Sequence, residues 1–270
     1  MKALVALLAI AIGWGMPAVS MAAADAQVEA LQWPAWIERD GKRTPLKARA
    51  TLRNQDQVLT GTGARALLRM ADGSTVKLGE NARLQLAGMA QEKQERPLFK
   101  ASMAVLQGAF RFTTEAFYKF RGKRAVDVRF TTVTAGIRGT DLWGKSADDR
   151  EIVVLIEGSI TLARDGEASQ TMDQPKTVYE APRAAAALPI VPVDPNQLAK
   201  WAAETEIAAG SGASRSGGHW RVYVAQASSQ AEARAVADRL TEAGYDAQIN
   251  RIADGRDYNL YGANSCSRHH

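Results

Sequence analysis

The feature that most constrains the fold is strand periodicity in the middle of the chain. Apolar residues occupy every second position over residues 126–130 and again over residues 152–156. A period of two is typical of a β-strand with one buried face. Both stretches are therefore predicted to be strands.

Glycines lie where these strands must turn. Gly136 and Gly139 fall between the two strands, and glycine permits a positive φ or a close backbone approach. Gly158 follows the second strand and is predicted to end it as a turn or bulge.

At these positions the sequence resembles the FecR domain, an extracytoplasmic β module with an R-G-T element, which here reads T-x-x-A-x-x-R-G-T, followed by a strand and an E-G-x-V/I element. Residues 66–74 and 106–110 are similar to the upstream hairpin and the L-x-G-x-F strand of that family. Within the first pattern we expect a structural motif and no ligand site. The matching residues are Thr132, Ala135, Arg138, Gly139, Thr140, Glu157, Gly158, Ser159 and Ile160, and the motif comprises Arg138, Gly139, Thr140 and Gly158.

Short strand signals alternate with turn signals from residue 28 to residue 178, which is typical of an all-β sandwich or roll. Asp72-Gly73 and Asp165-Gly166 predict two hairpins. We place this FecR-like β domain at residues 28–180. Residues 117–124 interleave aromatic and basic side chains; we interpret them as a solvated hairpin tip, with a polyanion-binding segment as the alternative.

The N-terminus has the pattern of a secretory signal peptide. Lys2 precedes an apolar run at residues 3–12, and three alanines precede Asp25 as a cleavage site. The run is shorter than the roughly 18 to 20 residues that a spanning helix requires. Residues 1–24 are therefore predicted to be removed on export to the periplasm, without stable membrane insertion.

Composition and motifs argue against several functions. The pI is about 9.4, but the basic residues are spread along the chain, so we expect no nucleic-acid partner. Cys266 is the single cysteine and cannot form an intrachain disulfide. The three histidines lie in the expected tether and tail, and no nucleophile, phosphate-loop or metal-ligand motif occurs. We expect no enzyme activity, cofactor or metal; a glycosidase carboxylate pair separated in sequence is the alternative.

Residues 181–218 are predicted to be a linker. Alanine and proline disfavour regular structure in its first part. Asp194 then caps a short helix that starts at Pro195 and ends near Gly210. Residues 210–218, rich in glycine and serine, are expected to be a flexible tether.

A second unit is predicted at residues 219–270. A strand at residues 220–225 precedes a capping box, Ser229 to Glu232, and a helix that Gly244 stops; residues 246–252 form the next strand. This order resembles the SPOR domain, a small ferredoxin-like module that binds peptidoglycan glycan strands lacking stem peptides. The resemblance covers residues 220–262. Because the second helix and last strand of that family have no counterpart in residues 262–270, we expect a truncated α+β unit.

Strand alternation assigns side chains of this unit to two sheet faces. Val222, Val224, Ile249 and Leu260 are expected to face the helix. Aromatic rings and amides on the other face could stack on sugars and bind their hydroxyls. The candidate glycan-binding residues are Arg221, Tyr223, Gln248, Asn250, Asn259 and Tyr261.

The sequence thus predicts an exported, non-catalytic binding or scaffold protein. The C-terminal unit would direct it to peptidoglycan, and the β domain would engage another periplasmic ligand or protein. The alternative is a periplasmic sensor component of a FecR-type signalling pathway.

Overall fold

The computed structural model describes residues 26–92, 98–114, 123–215, 222–252 and 257–262. The predicted signal peptide, most of the aromatic and basic segment, Arg221 and the tail after Gly262 lie outside these ranges. Within them, no helix is long and apolar enough to cross a membrane.

The described part of the N-terminal domain is built from β-strands. They are β1 (Ala26–Gln32), β2 (Ala35–Arg39), β3 (Lys42–Pro45), β4 (Thr51–Leu52), β5 (Gln57–Thr60), β6 (Arg65–Met70), β7 (Thr75–Leu78), β8 (Arg83–Glu92), β9 (Leu98–Thr113), β10 (Lys123–Arg129), β11 (Val133–Ile137), β12 (Asp141–Ser146), β13 (Arg150–Glu157), β14 (Ile160–Arg164), β15 (Gln170–Met172), β16 (Thr177–Pro182), β17 (Val191–Pro192) and β18 (Ser214–Arg215).

The strands form two layers joined by β9. The first layer runs β1-β6-β7-β9-β12-β13-β16-β17, with β4 and β18 on the other edge of β1. The second runs β3-β2-β5-β8-β9-β10-β11-β14-β15, antiparallel except for the β9–β10 pair. The predicted all-β sandwich is confirmed, and so are both hairpins.

Strand β9 passes from one layer to the other at Gly108. Residues before it pair with β8 and β10, and residues after it pair with β7 and β12. Gly108 has a φ of +80°, and a Cβ there would lie 2.6 Å from the Cα of Ala82. Glycine is therefore required where the strand crosses layers.

The main core fills the space between the two layers. Alternating strand residues bury one face, as the period of two predicted. The largest fully buried side chains include Phe99, Phe110, Phe112, Leu31, Leu68, Leu84 and Leu86. Because a single cysteine cannot form an intrachain disulfide, the domain is stabilised mainly by burial of these apolar side chains.

Helix α1 (Pro195–Thr205) covers the outer face of the first layer. Asp194 caps it by accepting a 2.9 Å hydrogen bond from the Gln197 N–H. Trp201 stacks on the fully buried Trp143, with 5.2 Å between ring centroids and 14° between planes. The interaction holds the predicted linker helix on the β domain.

The end of α1 differs from the sequence prediction. The helix stops at Thr205, not near Gly210, and Glu206 is extended. The Glu206 carboxylate lies 2.6 Å from Lys77 Nζ and 3.1 Å from Arg111 Nη1. The chain then turns at residues 208–211, where the Ser211 N–H donates to the Ala208 carbonyl at 3.3 Å, and Arg215 pairs with Ala30 of β1. Part of the expected tether is thus a strand at the sheet edge.

The C-terminal unit contains β19 (Val222–Ala227), α2 (Gln230–Glu242), β20 (Ala247–Arg251) and β21 (Tyr258–Gly262), with sheet order β19-β21-β20. Helix α2 packs on one face around the buried Ala227, Ala233 and Leu260. Ser229 Oγ accepts from the Glu232 N–H at 3.2 Å, and Gly244 has a φ of +85°. The predicted small α+β unit and both ends of its helix are confirmed.

The C-terminal unit contacts β2 and the loop after β3. The Ala35 N–H donates to the Gly244 carbonyl at 3.1 Å, and Trp36 Nε1 donates to the Glu242 carbonyl at 3.3 Å. Lys47 Nζ lies 2.8 Å from a carboxylate oxygen of the buried Asp246. A Cβ at Gly244 would lie 2.5 Å from the Trp36 ring, so close packing of the two units depends on this glycine.

Candidate glycan-binding surface

The sheet face of the C-terminal unit opposite α2 carries the candidate residues in two cross-strand rows. In the first row Tyr261 of β21 pairs with Tyr223 of β19 on one side and with Gln248 of β20 on the other. In the second row Asn259 is flanked by Gln226 and Asn250. We call these six residues the open-face rows.

The two tyrosines form an aromatic pair in the first row. Their rings meet edge to face, with centroids 5.9 Å apart and planes at 70°. Tyr223 is 53% exposed, and Tyr261 is partly exposed. The pair therefore presents ring surface on which a pyranose could stack, and its edge-to-face geometry limits ring movement.

Amides surround the tyrosines. Asn259 Nδ2 donates to the Tyr261 hydroxyl at 3.2 Å, which orients both groups. Gln248 and Asn250 are exposed on the edge strand β20. Gln226 Nε2 donates to Asp257 at 2.7 Å and leaves its carbonyl oxygen as an acceptor. This set offers neutral donors and acceptors of the kind that sugar hydroxyls and acetamido groups use.

Gln226 belongs to the surface but was not among the predicted residues. Strand β19 has a register shift between Tyr223 and Ala225, so Val224 is an extra residue and the later side chains change face. Simple alternation from Tyr223 would place Gln226 on the helix side. No local pattern in the sequence marks this bulge.

The four apolar residues expected to face the helix are covered unequally. Leu260 is fully buried and Ile249 is half-buried. Val222 and Val224 are 59% and 44% exposed. They lie with Leu240 on the helix side and line an apolar cavity of about 310 Å³. Both valines therefore lie on the predicted side of the sheet, but they border this cavity and stay exposed, whereas Leu260 is buried against the helix.

The predicted structural motif of the β domain forms a corner between β11, β12 and β13. Gly139 and Gly158 have φ values of +91° and +94°, and a Cβ at Gly158 would lie 2.5 Å from the Gly139 carbonyl oxygen. Thr140 Oγ1 donates to the Ser159 carbonyl at 3.0 Å, and the Thr114 N–H donates to the Thr140 carbonyl at 3.1 Å. The Arg138 side chain is exposed and forms no hydrogen bond or ion pair with the corner among the described residues.

Comparison with known families agrees with this architecture. The family model for FecR protein matches residues 56–161, and the model for the SPOR domain matches residues 204–261. The chain therefore carries a FecR domain followed by a SPOR domain, both of which are cell-envelope domains. No curated protein sequence matches the chain.

Two crystal structures of a candidate anti-sigma factor from Parabacteroides distasonis, at 1.65 and 2.50 Å resolution, are similar to this chain. The first has 13% identity and a TM-score of 0.43; the alignment covers 54% of this chain and 64% of that one, just under two thirds of its length. The second has 14% identity and the same TM-score, and covers 77% and 85%.

Proposed function

We propose that this chain is an exported, non-catalytic binding protein of the periplasm. Its C-terminal unit binds peptidoglycan glycan strands that lack stem peptides, and its β domain engages another envelope ligand or protein. We also propose that residues 1–24 are a signal peptide, that the β domain spans residues 28–180, and that residues 181–218 connect it to the SPOR unit at 219–270.

The single observation that carries the proposal is the pair of open-face rows. Two tyrosines and four amides share one sheet face, while α2 occupies the other face. Aromatic rings flanked by amides suit a neutral polymer of acetylated sugars, because stacking and hydrogen bonds replace ion pairs. Stem peptides attached to the sugars would hinder access to a flat sheet face.

The test is co-sedimentation of the full chain with intact and amidase-treated sacculi. We expect binding to increase when stem peptides are removed, and to fall at least tenfold in Tyr223→Ala and Gln248→Ala. Tyr245→Ala is the matched control, because Tyr245 is 41% exposed but lies on the helix side beside the apolar cavity. Equal losses in Tyr223→Ala and Tyr245→Ala, or no binding by the wild type, would contradict the proposal.

For the β domain we propose that Gly139, Thr140 and Gly158 of the predicted structural motif support the fold and do not contact the partner. Arg138, the fourth residue of that motif, has an exposed side chain and is not part of this structural proposal. Affinity capture from periplasmic extract with the full chain would identify that partner. Recovery of a signalling receptor would favour the alternative function, a periplasmic sensor component. Recovery of a wall-associated component would favour the scaffold function.

A further inference from the structure

The outer face of the second layer contains a groove over β10, β11 and β14. Register places Asp127, Gly136 and Thr161 opposite one another in a single row. Their neighbours Val126 and Ile137 point into the core, so the row points outward.

Gly136 creates the depth of this groove. It has no side chain, and the nearest atoms to a Cβ placed there are Asp127 Oδ1 at 3.6 Å and the Thr161 carbonyl oxygen at 3.8 Å. The resulting cavity is about 340 Å³, and Thr134 and Arg138 also line it. Its size lies within the range of small-molecule sites, roughly 300–1,000 Å³.

The groove carries two opposite charges that are not paired with each other. Elsewhere in the domain, buried carboxylates bind arginines: Arg39 contacts Asp56 at 2.6 Å, and Arg124 contacts Asp72 at 2.7 Å. Asp127 and Arg138 are exposed and oppositely charged on one face, yet neither forms a hydrogen bond or ion pair with another residue in the described ranges. Both groups are therefore available to a ligand.

The Asp127 carboxylate lies beside Gly136, and Arg138 follows the same glycine by two residues. Arg138 is two residues beyond the partner of Asp127, which makes them diagonal neighbours with Cα atoms roughly 7–8 Å apart. The Thr134 and Thr161 hydroxyls lie along the same groove and bind no other side chain among the described residues. The groove thus offers a cation, an anion and two hydroxyls over a strip of backbone.

We propose that this groove binds a short zwitterionic peptide of about dipeptide size. Arg138 pairs with its carboxylate through two parallel N–H donors, and Asp127 binds its ammonium group. The threonine hydroxyls bind the peptide amide, and Gly136 leaves room for the peptide backbone. The proposal deepens the β-domain half of the proposed function, on which it rests, and is independent of glycan binding by the SPOR unit.

The experiment is isothermal titration calorimetry of the full chain with dialanine as the probe. N-acetylated dialanine and dialanine amide each remove one charge. We expect saturable binding of dialanine and at least a tenfold loss with either capped form. Arg138→Gln and Asp127→Asn should each lower the affinity for dialanine at least tenfold. Gly136→Val should abolish binding, because the valine side chain would fill the groove. Lys42→Gln changes an exposed cation outside the groove and should bind as the wild type does.

Two further arms separate the possible outcomes. A soluble stem peptide of peptidoglycan is tested beside dialanine, because it carries the same charged termini farther apart. Tighter binding of the stem peptide would indicate a wall-derived ligand, and tighter binding of dialanine a free dipeptide. Co-sedimentation of Arg138→Gln with amidase-treated sacculi should match the wild type. A failure of the groove proposal can therefore be distinguished from a failure of glycan binding by the SPOR unit. The groove proposal would be overturned if neither peptide bound. It would also be overturned if Arg138→Gln and Gly136→Val kept the wild-type affinity and the wild-type melting temperature.

Discussion

Substitution of Gly158 by alanine tests how the corner of the β domain is built. A φ of +94° strains any residue with a Cβ, at a cost of about 1–3 kcal/mol. The new Cβ would lie 2.5 Å from the Gly139 carbonyl oxygen and 3.0 Å from the Thr140 Cα. Backbone must therefore move, and overpacking of this kind typically adds about 1–3 kcal/mol. Together, these two effects should lower the free energy of unfolding by about 2–6 kcal/mol.

Gly166 provides the matched control. Its φ is +79°, but no atom lies within 4 Å of a Cβ placed there. Gly166→Ala should therefore incur backbone strain alone, about 1–2 kcal/mol. Gly139→Val, also in open space at a φ of +91°, should lose about 1–3 kcal/mol. The difference between Gly158→Ala and Gly166→Ala measures the steric contact at the corner.

Urea unfolding followed by tryptophan fluorescence gives the free energies, provided that the slopes match the wild type. We expect the free energy of unfolding to fall by at least about 1 kcal/mol more in Gly158→Ala than in Gly166→Ala. Equal losses would refute the argument from the Gly139 contact. Wild-type stability in Gly139→Val, with loss of partner binding alone, would show that the corner is a ligand site.

Three further predictions concern α1, α2 and the contact between the two units. Trp143→Ala removes a fully buried ring and its stack, so stability should fall by about 3–5 kcal/mol in calorimetry. Hydrogen bonds from the Ser228 N–H and hydroxyl lower the pKa of Glu232. The ionised carboxylate therefore stabilises the fold at neutral pH, and this stabilisation is lost as the pH falls through the lowered pKa. Circular dichroism should show that Glu232→Gln loses less helix signal on acidification than the wild type. Gly244→Ala places a Cβ 2.5 Å from Trp36, so limited proteolysis between the units should accelerate while α2 keeps its helix content.

Local patterns in the sequence predicted much of the architecture. The period of two identified the strands around Val128 and Val154, and Asp-Gly pairs located two hairpins. The caps of α2 followed from Ser229 and Gly244, because capping depends on adjacent residues. Such features are encoded within a few positions of one another.

Features that depend on distant residues could not be predicted. The need for glycine where β9 crosses comes from the distant Ala82, and the residue that ends α1, Glu206, forms ion pairs with the distant Lys77 and Arg111. The bulge in β19 that exposes Gln226 has no local sequence pattern. Five of the six predicted surface residues lie in the open-face rows, and the sixth, Arg221, lies outside the described residues.

The central claim is that glycan binds the open-face rows of the C-terminal unit. The most direct measurement is NMR titration of the isotope-labelled full chain with soluble glycan strands that lack stem peptides. The account predicts that chemical-shift changes concentrate at Tyr223, Tyr261 and Gln248, with Leu240 and Tyr245 on the helix side unaffected. Changes centred on the helix side, or confined to the β domain, would contradict it.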